Sequence, residues 1–183
     1  MTAAQAEEFD PALWPPMAWL RYNALIAGKS GALIVLPIAG AALLAGLPEA
    51  DIAELTCAAR ILGMAYQASD DVQGLTADLT SGSLNGVIAR GLVVAEQTGR
   101  ALWLELLARG RLGQLSQAAA AALTLQSETT LTLDWSFARL SSASAGLRGH
   151  SSPRCGPMIP VIDRAVRAVA GRMTLDRESR HAA

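Results

Sequence analysis

The stretch LGMAYQASDD, residues Leu62–Asp71, is an apolar helical segment that ends in one amide and two adjacent carboxylates. At about 100° per residue, Gln67 precedes Asp70 and Asp71 by roughly one turn, so a helix can present all three side chains from one side. Neighbouring acids repel each other, and at a helix C-terminus they also face the negative end of the helix dipole. The stretch therefore predicts a helix whose acidic end is offset by a cation, most simply a divalent metal with oxygen ligands.

The composition favours an all-α protein. Of 183 residues, 51% are hydrophobic and only 4% are aromatic, which suits closely packed helices better than a β-sandwich. The net charge of −1 gives no general basic field, so we expect no nucleic-acid partner. The cysteines Cys57 and Cys155 lie far apart, and the N-terminal residues are acidic where a signal peptide carries Lys or Arg. These features predict a cytoplasmic protein with reduced thiols.

Apolar spacing and turn residues divide the chain into helices. We predict helices over Met17–Ala27, Ala32–Ala45 and about Asp51–Asp71. The glycines of Gly28–Gly31 interrupt the first pair, and Gly46-Leu47-Pro48 ends the second helix. A polar loop over Gly74–Gly82, a helix over Ser83–Arg109 and a short amphipathic helix over Ile159–Met173 are predicted to follow. The expected domain organisation begins with a polar lead-in at residues 1–16 and a helical domain at 17–125. A linker or weakly ordered segment at 126–157 and a C-terminal helix at 158–175 follow.

Lys29 and Ser30 lie at a glycine-flanked point between two helices. They would provide a cation and a hydroxyl for an anionic group, and carboxylates would bind the metal that accompanies it. Each residue also has a structural explanation. An Asp-Asp pair is typical of a solvated helix end, a lone Lys of a surface residue, and Gln67 of a hydrogen bond between helices. The ordered combination of these residues, rather than any one of them, favours a metal-held diphosphate.

The combination resembles the trans-prenyl diphosphate synthases, the polyprenyl synthetase family, over roughly Tyr22–Leu107. Members carry a Lys-Thr pair before an apolar helix, and here Lys29-Ser30 occupies that place in GKSGALIVLPIAGAALLAG. Further along comes Gly-x-Ala-Phe-Gln, which Tyr66-Gln67 completes here, and then a second aspartate-rich motif that Asp70-Asp71 opens. The segment ADLTSGSLNGVIARGL is similar to the next family motif, with Asp78 and Gly82 aligned.

The resemblance implies an isoprenoid-synthase-type helical bundle around an apolar cavity. It implies that an allylic diphosphate binds through Mg²⁺ and that isopentenyl diphosphate attacks the resulting allylic cation. By position, Asp70 and Asp71 would be metal ligands, Lys29 would hold the diphosphate, and Ser30, Tyr66 and Gln67 would line the pocket. Lys29, Ser30 and Gln67 are the candidate catalytic residues. A homodimer, or a heterodimer with a full-length synthase, is the expected assembly.

The departures from the family pattern leave alternatives open. Gly74 occupies the position of the last acid in the second aspartate-rich motif, and no stretch of the sequence matches the first such motif. The family's N-terminal helices also have no counterpart, so we expect a truncated or divergent synthase that is weakly active or inactive alone. One alternative is a non-catalytic partner subunit of a complete synthase. Another is a small helical membrane protein anchored by Gly31–Leu47, an uncharged run of seventeen residues that is slightly short of the roughly 20 that span a bilayer.

Overall fold

The computed structural model describes residues 18–81, 85–90 and 163–171, with shorter pieces at 131–132, 134–136, 138–139, 141–142, 145 and 160. This part of the chain contains helices and no strand, so the predicted all-α class is confirmed. By its contacts the chain forms two compact units. Unit 1 comprises Met1–Leu25 and Ala68–Asp134, and unit 2 comprises Ile26–Gln67 and Trp135–Ala183.

The first helices follow one another through a π turn. Helix α1 covers Ala18–Ile26, the π turn covers Ala27–Gly31, and helix α2 covers Ala32–Leu44. The sequence predicts an interruption at Gly28–Gly31. The structure instead keeps the chain helical there and widens it, as single π turns inside α-helices do.

Helix α2 ends as its sequence predicts. Gly46 adopts a positive φ of 66°, which a residue without a Cβ tolerates well. The Gly46 N–H donates to the Leu43 carbonyl at 2.9 Å, and the Leu47 N–H donates to the Ala42 carbonyl at 3.1 Å. This pair of bonds is a Schellman motif, and the buried Leu47 side chain supplies the apolar contact that commonly accompanies it.

Helix α3 is longer than predicted. It covers Glu49–Ser81, 33 residues, with Glu49 and Asp51 in the first turn at the positive end of the dipole. The predicted loop over Gly74–Gly82 is therefore wrong, because the helix continues ten residues beyond Asp71. The two aspartates lie inside the helix and not at its C-terminus, so the dipole argument for a neutralising cation does not hold.

Unit 2 has an apolar core that joins residues distant in sequence. Its buried members come from helix α2, from Leu47, from the first half of α3 and from a C-terminal helix, α5, at residues 163–171: Ile38, Ala42, Leu47, Leu55, Ala58, Ala59, Leu62, Ala65, Val166 and Val169. In α5, Val166 and Val169 are buried whereas Arg164 and Arg167 are exposed. The amphipathic pattern predicted for this helix is thus confirmed over residues 163–171, and the rest of the predicted range Ile159–Met173 lies largely outside the described residues.

Unit 2 also receives a polar contact from the region expected to be a linker. The described residues between 131 and 145 are helical. Ser136 is fully buried there, and its hydroxyl donates to the Ala65 carbonyl at 2.7 Å. This hydrogen bond is a tertiary contact that local composition does not predict. A Ser- and Thr-rich stretch by itself favours coil.

Unit 1 packs the aromatic residues of α1 near the start of helix α4, residues 86–90. Trp19 stacks on Tyr22 with 5.1 Å between ring centroids. The Arg90 guanidinium carbon lies 4.9 Å from the Trp19 ring centroid, a cation–π distance. Gly86 meets the edge of the Tyr22 ring so closely that an added Cβ would lie 2.7 Å from the Tyr22 oxygen. A Cβ at this position would therefore force the buried Tyr22 ring to shift.

Candidate functional site

The first candidate residues lie in unit 2, where the π turn crosses helix α3. Gly63 of α3 contacts the backbone of the π turn, and an added Cβ would lie 2.7 Å from the Gly31 Cα and closer still to the Ser30 carbonyl oxygen. Real Cβ atoms do not approach backbone this closely, so the crossing depends on a glycine at position 63. The close approach brings the side chains on either side of Gly63 within reach of the π turn.

Ser30 and Gln67 meet at this crossing. Both are buried, and the Ser30 hydroxyl donates a short hydrogen bond to Gln67 Oε1. Gln67 lies one turn beyond Gly63 on α3, so the helix that makes the backbone contact also supplies the amide. The structure thus brings together two predicted site residues that are 37 positions apart in the chain.

Lys29 and Tyr66 adjoin this pair in sequence. Lys29 belongs to the π turn and is partly exposed, and its carbonyl accepts the N–H of Ala32 as the turn passes into α2. Tyr66 is half-buried against the apolar core of unit 2. The predicted roles of these residues, in holding a diphosphate and in lining its pocket, stay predictions.

Asp71 lies in unit 1 and makes two contacts with the start of α4. Its carboxylate accepts the Gly86 N–H at 2.8 Å, and its carbonyl accepts the Asn85 side-chain amide at 2.6 Å. Asp71 is only 5% exposed. A carboxylate on the first free N–H of a helix is favoured because that end of the helix is positive. Asp71 therefore has a structural partner, and its predicted metal role stays a prediction.

Asn85 organises the same region and was not predicted from the sequence. Its Oδ1 accepts the Val87 N–H at 2.8 Å, which makes it the N-cap of α4. Its Nδ2 donates to the Asp71 carbonyl and, at 2.7 Å, to Asp78 Oδ2. An Asn directly before an apolar helical run is a helix-start signal that could have identified the cap. The link to the aspartates depends on tertiary contact.

Asp70 and Asp71 are the candidate magnesium ligands. Mg²⁺ typically takes one or two protein carboxylates and completes its shell with water and substrate phosphates. Asp70 is half-buried, and Asp71 has one oxygen on the Gly86 N–H. Within the described residues, no group of three His, Cys, Asp or Glu side chains could hold a metal. The donor set therefore fits Mg²⁺ only as one or two carboxylates that depend on diphosphate oxygens for the rest.

Comparison with known proteins bears on the N-terminal part of the chain. Residues 5–83 match the family model described as polyprenyl synthetase. The match contains Lys29-Ser30, Tyr66-Gln67 and Asp70-Asp71, and it ends before the Leu107 limit of the resemblance. No curated protein and no solved structure matches significantly. The predicted resemblance is confirmed over these residues, which make up less than half of the chain and are similar to the polyprenyl synthetase family.

Proposed function

We propose that this protein acts in isoprenoid biosynthesis by condensing an allylic diphosphate with isopentenyl diphosphate. The observation that carries the proposal is the buried hydrogen bond between Ser30 and Gln67. It joins the Lys-Ser segment to the Tyr-Gln segment, the two motifs on which the family resemblance depends. Burying two polar side chains is costly unless they are paired, and a paired set of this kind supports a defined polar site beside the apolar core of unit 2.

Each residue has a role in this proposal. The Lys29 ammonium binds diphosphate oxygens as a point charge, which stabilises the anion as it departs. The Ser30 hydroxyl fixes the orientation of the Gln67 amide, and Tyr66 supplies an aromatic side chain beside it. Asp70 and Asp71 would hold Mg²⁺, and the bound ion would neutralise a diphosphate and make it a better leaving group.

The experiment is a prenyl-transfer assay with the full chain, Mg²⁺, isopentenyl diphosphate and labelled allylic diphosphates. We expect weak elongation that falls at least tenfold in Lys29→Gln and in Asp70→Asn. Asp134→Asn is the matched control, because it removes a carboxylate from an exposed helical position. Equal activity in all three variants would contradict the proposed roles, and the absence of both elongation and diphosphate binding would contradict the function.

A second function is favoured by Gly74, which replaces the last acid of the second aspartate motif. In this alternative the chain is a non-catalytic subunit that pairs with a complete synthase and changes the length of its product. Diphosphate binding without elongation, combined with co-purification with a complete synthase from the source cells, would support it. Elongation by the isolated chain that is lost in Asp70→Asn would exclude it.

A further inference from the structure

Helix α2 exposes an apolar face. Leu33 is 70% exposed, Leu36 75% and Leu44 93%. With Pro37 and Gly40 they recur at intervals of three and four residues, so they lie on one side of the helix. Gly40 has no other group within 4 Å of where a Cβ would be. A contiguous exposed face of this kind marks an interaction surface.

The opposite face of α2 is already occupied. Ile38 and Ala42 are buried in the core of unit 2, and Ile34 and Val35 pack against that core. By length and composition, the helical segment Trp19–Leu44 could cross a membrane. A spanning helix would need to release Ile38 and Ala42 from the core. The structure instead leaves one side of α2 exposed. This arrangement is typical of a helix that lies along a membrane surface with its apolar side in the bilayer.

A basic residue borders this face. An open groove of about 370 Å³ is lined by Ala27, Gly28, Ala32, Val35, Leu36 and Arg60. Arg60 is exposed, and it is the charged residue among these lining groups. Helix α2 contributes no acid of its own. A second copy packed on this face would therefore bring no carboxylate from α2 to Arg60, whereas a phosphate headgroup supplies the opposite charge.

We propose that the exposed face of α2, with Arg60 at its edge, docks this protein on the surface of a bilayer that contains anionic phospholipids. The leucines enter the boundary between headgroups and acyl chains, and Arg60 pairs with a lipid phosphate. Docking is independent of the proposed prenyl transfer, because none of these residues belongs to the candidate site.

The test is co-sedimentation of the full chain with vesicles of phosphatidylcholine, alone or with 30% phosphatidylglycerol. The variants are Leu33→Gln/Leu36→Gln/Leu44→Gln and Arg60→Gln. The matched controls are Leu131→Gln, another exposed leucine, and Arg167→Gln, another exposed arginine. Circular dichroism establishes that each variant keeps its helix content.

We expect the wild type to bind the anionic vesicles and the triple variant to bind at least tenfold more weakly. Arg60→Gln should weaken binding to anionic vesicles by about fivefold and leave binding to neutral vesicles unchanged, with both controls like the wild type. Binding by the triple variant equal to wild type would overturn the proposal. A wild type that does not bind vesicles would also overturn it. So would a wild type that can be removed from the vesicles only with detergent, because that result indicates a membrane-spanning helix. A wild-type dimer that dissociates in the triple variant would overturn it as well.

Discussion

Gly63 is the residue on which the contact between α3 and the π turn depends. We expect Gly63→Ala to destabilise the protein by about 1–3 kcal/mol, because the methyl group would overlap backbone atoms that cannot move aside cheaply. Gly40→Ala is the control, since that helical position is open, and it should be neutral or stabilise by up to about 1 kcal/mol. Urea unfolding followed by circular dichroism gives both values. Equal effects of the two substitutions would mean that the contact between Gly63 and the π turn leaves room for a methyl group.

Gly74 is the position at which the second aspartate motif lacks its last acid. It lies one turn after Asp70 on α3, and a Cβ there would be 3.3 Å from Asp78 Oδ2. We expect Gly74→Asp to lower the melting temperature without metal, because it places a carboxylate between two others. Millimolar Mg²⁺ should raise it again, by more than in the wild type or in Gly74→Asn. A melting temperature of Gly74→Asp that does not respond to Mg²⁺ would count against a metal-binding role for Asp70.

At the scale of elements, the start of α4 depends on Asn85. We expect Asn85→Ala to cost about 2–4 kcal/mol, since it removes a helix cap and leaves the Asp71 carbonyl and the Asp78 carboxylate without this donor. Asn85→Ser keeps a capping oxygen and loses the amide donors, so it should be less destabilising than Asn85→Ala by about 1 kcal/mol. Chemical denaturation measures the two costs. If the serine variant matched the alanine variant, the capping bond would contribute nothing.

The elements also show what local sequence could and could not predict. The end of α2 was predictable because Gly46 and Pro48 are strong local signals. The continuation of α3 past Asp71 was not, since Gly74 and the polar residues after it are typical of a loop, and their helix is held by the contacts of Asp71 and Asp78 with Asn85. In the candidate site, the family pattern predicted that Ser30 and Gln67 line one pocket, but it did not predict the hydrogen bond between them. The close contact of Gly63 with the π turn, which permits this hydrogen bond, is a tertiary contact that no local sequence signal predicts.

At the scale of the whole molecule, the core of unit 2 ties the C-terminal helix to residues more than a hundred positions earlier. Val166 is 5% exposed and packs in the cluster that contains Ile38 and Ala42. We expect Val166→Ala to cost about 1–2 kcal/mol through lost apolar burial. The neighbouring Arg167→Ala should stay within about 0.5 kcal/mol, because that side chain is exposed. Denaturant titration of the full chain measures both. A harmless Val166→Ala would mean that α5 adds nothing to the core.

The π turn makes the chain tolerant of a one-residue deletion at one place. Ala27–Gly31 holds one residue more than an ordinary α turn needs. Deleting Ala27 would thus close the turn into an unbroken α-helix, and the helical residues on either side would keep their register. The same deletion within α2 has no extra residue to absorb it, so it would rotate one side of that helix by about 100° against the other.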